Sequence, residues 1–491
     1  MSYIKQLAGQ TAIYGLSSVV PRLLNYLLVP LYTRVFLPEE YGIVTEMYAY
    51  LGFLLVLLTF GMETGYFRFA TKSKDNDSIY STAFYTLLST STFFVVIMYL
   101  LSSKIVNGLG YPENPEYVVL LAMVIGLDAF CAIPFAKLRL ENKAFTFSII
   151  KIVGVTVNIL LNLFFLTLCP KIEIFNNSIL YNQNLGITYV FISNLVSSLL
   201  VTLVLVFKSG SVPKTFNLKQ LKSLMLYSIP LLISGLGGTT NESFDRIFIK
   251  YLVPEESNPL YQLGIYGSNV KLAVLMVLFI QMYRYAAEPF FFSTADNKDS
   301  PKIYSNMIKY FLVFTLLIFL GVGLFTDVFK YLVGSNFREG LGVVPILLLA
   351  NLFYGIFFNL SIWYKLKNKT WYGIYYTFAG AIVTITLNII LIPNIGYYGA
   401  AIARLACYIL MCVLCYYGGK KIFPIPYQIK RMALYFTLAL LLFFIGFFVN
   451  INIYIVSFIF RITLIAIFLY AFIKIEKIDI KSNIKELRIW K

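Results

Sequence analysis

Apolar runs of about twenty residues, repeated from one end of the chain to the other, limit what this sequence can fold into more than any other feature. A helix needs about 20 residues to cross about 30 Å of hydrocarbon, and lipid offers no partner to a bare peptide group, so each long run reads as a membrane-spanning α-helix. Fourteen are present, over 11–36, 43–68, 79–101, 117–136, 146–168, 186–207, 223–251, 264–290, 304–326, 343–364, 372–393, 397–418, 432–449 and 453–473. The predicted fold class is an all-α polytopic membrane protein of about 14 transmembrane helices. With 59% hydrophobic and 13% charged residues the chain cannot be a water-soluble domain, where about half and about a quarter are usual. The first run is full length and lacks a small-residue cleavage site, so it is expected to insert uncleaved.

The net charge of +17 raises the possibility of nucleic acid, but the basic residues form no stripe with interleaved aromatics. They recur between the apolar runs as topology signals. With the N-terminus on the cytoplasmic side, the even-numbered loops and both termini hold 25 Lys and Arg. The odd-numbered loops hold four, Lys104, Lys171, Lys330 and Arg338. A bias sustained along the whole chain predicts a multi-pass protein with both termini cytoplasmic.

The chain also repeats itself. Arg34 to Glu40 reads RVFLPEE and Lys250 to Glu256 reads KYLVPEE, and at the same offset Asn25 meets Asn241. Leu140, Asn142, Lys143, Gly154 and Asn162 match Leu366, Asn368, Lys369, Gly380 and Asn388 without a gap. Span 7 thus copies span 1, and span 11 copies span 5. Six helices separate the copies, an even number, so the halves face the same way and relate by an axis along the membrane normal. The expected organisation is an N-lobe over 1–207, a cytoplasmic linker at 208–222, a C-lobe over 223–418, two extra helices within 419–474 and a tail at 475–491.

No histidine is present, which removes a Ser-His-Asp triad, a His-metal site and the commonest general base together. Cys131, Cys169, Cys407, Cys412 and Cys415 all fall in or beside apolar runs and read as packing residues. Neither a cofactor nor a metal is implied, and the chain reads as no enzyme. Chemistry is left to charges inside the spans, each of which costs roughly 2.5 to 3.5 kcal/mol at the bilayer centre unless something compensates it. Arg22 lies near the middle of span 1 with Asn25 one turn later, between Pro21 and Pro30. Span 7 carries Asn241, Glu242, Asp245 and Arg246, with Glu242 and Arg246 spaced for an internal pair. Spans 2 and 8 carry Glu63, Arg68, Lys271, Arg284 and Glu288. Arg68 and Glu288 are near enough to the ends to snorkel, whereas Lys271 and Arg284 are deep. Asp128 falls at the centre of span 4, where a carboxylate must take up a proton or find a cation. Arg404 and Arg461 are deep charges in the later spans.

The deep charges fall mainly on spans 1, 2, 7 and 8, which suits a water-filled cavity between two lobes. Cations lining it would attract an anionic head group such as a diphosphate. Arg22, Asn25, Asn241, Lys271 and Arg284 are the candidate substrate contacts, and Glu63, Asp128 and Asp245 the candidate ion-coupling groups. Each has a structural alternative, a buried ion pair that only holds helices together.

Fourteen spans arranged as two six-helix copies plus two, Pro21-Arg22 in span 1, Arg34 through Tyr41-Gly42, and GYYGAA at 396–401 together resemble the multidrug/oligosaccharidyl-lipid/polysaccharide (MOP) exporter superfamily. Its polysaccharide and O-antigen flippase branch is the most similar, over residues 1 to 474. The resemblance implies alternating access of two lobes and translocation of an undecaprenyl-diphosphate-linked oligosaccharide across the inner membrane, driven by an ion gradient or membrane potential. It further implies membrane lipids and polysaccharide assembly proteins as partners, no nucleic acid, and Arg22 as the matching cavity arginine. Lipid II flippases of the superfamily carry more arginines along the first helix, where this chain reads LLNYLLVP over 23–30, a departure that argues against lipid II as the substrate.

A drug/cation antiporter of the same superfamily would want an acidic, aromatic cavity, and a glycan polymerase or ligase a long external loop with functional arginines. Neither feature is present in the sequence. Topology gives the first test: a cysteine placed at Lys214 should resist a membrane-impermeant thiol reagent added from outside and react after permeabilisation. Labelling of intact cells at that position would overturn the assignment.

Overall fold

The computed structural model describes residues 19–71, 76–173, 181–210, 212–295, 297–449 and 451–477. Helix α1 runs over 19–26 and Leu28–Val35 with a one-residue break at Leu27. After it come α2 (Pro38–Ala70), α3 (Asn76–Leu109), α4 (Pro115–Leu140), α5 (Ala144–Leu168), α6 (Thr188–Ser209) and α7 (Leu218–Leu252). The second half holds α8 (Pro259–Leu272 and Val274–Ser293), α9 (Ser300–Leu324), α10 (Ser335–Leu366), α11 (Trp371–Ile395), α12 (Tyr397–Ile422), α13 (Ile429–Phe448) and α14 (Tyr454–Glu476). The protein is an all-α polytopic membrane protein. Twelve of these helices are long and apolar enough to cross a bilayer as they stand, and the α8 pair, bent by 45°, makes a thirteenth. The predicted start of the first span and the tail beyond Lys477 lie outside the described residues.

Two spans that read as continuous in sequence are broken. In α2, Phe60 and Gly61 both take positive φ, 53° and 66°, splitting the helix into Pro38–Thr59 and Met62–Ala70. In α8 the bend falls at Ala273, two residues past Lys271. The α2 break is a change of backbone hand, and the α8 bend a right-handed distortion with Ala273 at φ −80°; apolar composition registers neither, so neither break has a hydropathy signature.

The repeat seen in sequence recurs in geometry. Asn142 and Asn368 end α4 and α10 in the left-handed region at φ 56° and 55°, which asparagine tolerates because its side chain bonds locally. After each, a lysine amide closes the turn, Lys143 N–H to Leu138 O at 2.8 Å and Lys369 N–H to Tyr364 O at 2.7 Å. Asn162 and Asn388 are wholly buried, and each donates back one turn, to the carbonyls of Asn158 and Thr384. Helix α3 packs on α4, and α6 on α4 and α5; the matching pairs α9–α10, α12–α10 and α12–α11 pack likewise.

The lobes meet where α2 and α8 begin. A Cβ on Gly42 would collide with the Leu260 carbonyl, and one on Gly264 with the Pro38 carbonyl, so each helix rests a glycine on the backbone of the other. Around this crossing, matched cations reach across. Arg34 of α1 donates to Tyr331 O in the α9–α10 connection, and Lys250 of α7 donates to Leu109 O and Tyr111 in the α3–α4 connection. Lys250 also pairs at 2.8 Å with Glu46, whose side chain is fully buried. We call this the sealed end. At the opposite end, which carries the 208–217 connection, α7 packs on α2 through Gly61 and Gly65 against Ser228.

Helices α13 and α14 attach to α9. Lys309 and Glu476 pair at 2.5 Å at one end and Arg461 pairs with Asp327 at the other, while Phe443 packs on Phe319 and Gly323 in between.

Within the C-lobe, Asp245 of α7 is only 2% exposed; it pairs with Arg404 of α12 and accepts from Tyr266 of α8. Removing one member of a buried pair strands the other charge, at a cost of about 3–5 kcal/mol. Arg404→Met should therefore lower thermal stability in detergent sharply, and Asp245→Asn/Arg404→Met should recover most of it. A single variant as stable as the parent would contradict this role.

Candidate functional site

Below the sealed end the lobes diverge around two adjoining cavities. The upper one, about 300 Å³, lies between the lobes and is lined by Asn25, Tyr32 and Tyr48 on one side and by Arg246, Gly267 and Lys271 on the other. The lower one, about 550 Å³, belongs to the N-lobe and includes Glu63, Asp128, Lys151 and Ser198. Asn25, Asn158 and Asn194 line both, so the two are continuous. Each volume is within the range of ligand pockets, roughly 300–1,000 Å³.

The local fold places these side chains. The break at Leu27 sits five residues past Arg22 and two past Asn25, and both of these are exposed. The α8 bend brings Lys271 to the upper cavity beside Arg246, with Glu242 also within reach of its charge. Lower down, Arg284 donates to the Tyr354 hydroxyl at 3.2 Å and lies over the Phe358 ring. Tyr354 also feels the charge of Arg22 from the other lobe, and Lys151 does too. Among the described residues, none of Arg22, Arg246, Lys271 and Arg284 has a carboxylate within 4 Å.

The other sequence candidates fall elsewhere. Asn241 is buried in packing: its Nδ2 donates to Thr377 O at 3.1 Å and its Oδ1 accepts from Thr384 at 3.3 Å. Asp245 is held by Arg404, as described. Glu63 borders the lower cavity but pairs with Arg139. Asp128 also borders it and accepts from Ser198 at 2.9 Å, with Lys151 the nearest cation. The internal Glu242–Arg246 pair suggested by their spacing does not form; Arg246 lines the upper cavity instead and Glu242 is exposed. Glu288, expected to snorkel, pairs with Lys365 at 2.7 Å, and Arg68 stacks on Tyr227. All five cysteines are free and buried.

Arg246, Lys151, Asn158, Asn194 and Tyr354 line or touch the site and escaped sequence reasoning. For Lys151 a signal existed: a lone Asp128 at mid-span calls for a cation on a neighbouring helix. For Asn158 the signal was its i, i+4 spacing to Asn162, repeated as Thr384 and Asn388. Tyr354 and Asn194 carry none, since one Tyr or Asn in an apolar helix is ordinary.

The cavities offer cations, amides and phenols, with no cluster of three or more His, Cys, Asp or Glu that could hold a metal among the described residues. That set binds an anion and hydrogen-bonds a polar neutral group.

In overall structure the chain is similar to the lipid II flippase MurJ in an inward closed conformation, with a TM-score of 0.73 and 15% identity over 94% of this chain and 98% of that one. It is also similar to a multidrug resistance MATE family transporter of the MOP superfamily. The inward-facing form of that transporter matches at a TM-score of 0.66 and 15% identity, covering 84% of this chain and 97% of that one. The outward-facing form matches at 0.58 and 15% identity, covering 85% and 95%. At such identities the likeness is one of fold. No curated protein matches the chain in sequence. The family model of polysaccharide biosynthesis proteins matches residues 31–339. With that match over more than half its length, and with the fold of MOP superfamily transporters, the chain belongs to the polysaccharide biosynthesis protein family.

Proposed function

We propose that this protein is a flippase that carries an undecaprenyl-diphosphate-linked oligosaccharide, an O-antigen or capsule repeat unit, across the bacterial inner membrane by alternating access. The observation that carries the reading is the pair Arg246 and Lys271 on the C-lobe wall of the upper cavity, together with the exposed Arg22 and with Arg284, none of which has a carboxylate within 4 Å among the described residues. A cation at membrane depth needs compensation, and a diphosphate supplies it only while substrate is bound. Other deep charges are paired, as in Glu46–Lys250 and Arg404–Asp245, whereas Asp128 and Lys151 border the lower cavity. In this reading both termini and the 208–222 linker are cytoplasmic, so the cavity is closed on the periplasmic side and loads from the cytoplasm. Asp128, with Ser198 and Lys151 beside it in the lower cavity, is the proposed ion-coupling group.

The MATE likeness favours one competitor, a cation-coupled drug antiporter. Cationic drugs would meet the same unpaired Arg and Lys side chains as repulsion, so accumulation assays with cationic dyes should show no efflux.

Loss of one charged hydrogen-bonding partner should weaken substrate binding by about 1.5–3 kcal/mol, with Lys a poor replacement where contact is bidentate. Because Arg22 is exposed and holds no ion pair, Arg22→Ala should keep its membrane level while glycan export falls and lipid-linked glycan accumulates in the inner leaflet. Lys104→Ala, on the exposed surface of α3, serves as the control. Parental export by Arg22→Ala would end the proposal.

A further inference from the structure

The two lobes descend from one pattern, yet one pair of matched polar residues is closed in the C-lobe and open in the N-lobe. In the C-lobe, Asn241 of α7 bonds to Thr384 and Thr377 of α11, and Gly380 lets the helices approach closely enough for this. Their counterparts at the repeat offsets are Asn25 of α1 and Asn158 of α5. These two make no bond to each other, and both upper and lower cavities open between their helices.

This leaves the side-chain amides short of protein partners among the described residues and open to the cavities. Asn25 has no hydrogen-bond partner among the described residues. Asn158, only 8% exposed, accepts from Asn162 through Oδ1 at 3.1 Å, but its own N–H groups have no acceptor. Asn194 of α6 donates to Tyr48 at a long 3.3 Å, and its carbonyl oxygen is free. A neutral donor or acceptor at this depth costs free energy unless water or a ligand meets it.

The charges of the upper cavity are one-sided. Among the described residues its only charged linings are Arg246 and Lys271, both from the C-lobe, facing an N-lobe wall whose polar groups are amides, phenols and the Thr45 hydroxyl. Anion and neutral polar groups are therefore received on opposite walls.

We infer that the wall formed by Asn25, Asn158 and Asn194 is a glycan subsite. The diphosphate lies against Arg246 and Lys271, and the first, uncharged sugar turns toward the N-lobe, where each amide offers donor and acceptor to vicinal hydroxyls or an acetamido group. This rests on the lipid-linked-glycan reading above and adds which lobe reads the sugar. Selectivity among glycans then resides in the asparagines of α1, α5 and α6, and affinity common to all of them in the cations, Arg22 of α1 included.

The test uses the full-length protein in nanodiscs and three probes: undecaprenyl diphosphate, and the same lipid bearing one hexose or one N-acetylhexosamine. The parent should bind at least one sugar-bearing probe about three- to tenfold more tightly than the bare lipid, the size of one or two hydrogen bonds. Asn158→Leu and, separately, Asn194→Leu should bring that ratio close to one while affinity for the bare lipid stays within about twofold. Lys271→Met should weaken all three probes by a common factor. A ratio that persists in both asparagine variants, or a parent that does not distinguish the probes, overturns the glycan subsite and leaves the flippase reading standing. A parent that binds none of the three overturns the flippase reading itself. Should Asn158→Leu show no cooperative melt, Asn194→Leu decides alone.

Discussion

Everything in this structure hangs on how closely two backbones approach where α2 and α8 cross. A methyl group on either Gly42 or Gly264 would strike the facing carbonyl, so the crossing is available to glycine alone, and it occurs as a matched pair. In lipid, helices gain little from hydrophobic contact and associate through close packing and polar bonds. Here both act together, because Arg34 and Lys250, placed alike in the two repeats, each bind the connection of the opposite lobe. With the lobes fastened at this end, the helices can separate below it, and the cavities occupy the separation.

The buried charges divide into two kinds by their company. Glu46 with Lys250, Asp245 with Arg404 and Lys309 with Glu476 join different helices and are almost entirely shielded, the arrangement expected of groups that hold a fold. Arg246 and Lys271 instead border the upper cavity, Arg22 is exposed, and Arg284 meets a tyrosine hydroxyl and a phenylalanine ring in place of a carboxylate. Depth in the sequence alone gives both kinds the same appearance. What separates them is whether a partner on another helix arrives, and only tertiary structure determines that.

The helices were legible because lipid enforces their length: each described helix overlaps its predicted run, with ends shifted by up to about ten residues where a helix continues beyond the hydrocarbon, as α3 does to Leu109. The breaks in α2 and α8 were not legible, since they come from backbone torsions at Phe60, Gly61 and Ala273 that leave hydropathy unchanged. In the site, Arg22, Lys271 and Arg284 could be picked out because a charge in an apolar run is conspicuous. Asn241 was picked for the same reason as Asn25, by repeat position. Yet the structure closes one lobe over it and leaves the other open, a difference that no feature of the two short motifs encodes. Arg246 was hidden by an intrahelical spacing that suggested a partner it does not take.

The α13–α14 hairpin has a mechanical consequence. Salt bridges hold it to α9 at one end and to the turn that follows α9 at the other, and aromatic contact with Gly323 and Phe319 holds it in between, so it has no free end about which to pivot. Any tilt of α9 must carry the hairpin with it as an outrigger. Much of its outer surface is exposed apolar side chain, among them Phe448, Ile455 and Tyr470. Each stroke of the C-lobe would thus drag this paddle through the surrounding acyl chains, making the viscosity of the bilayer a drag on the rate of the cycle.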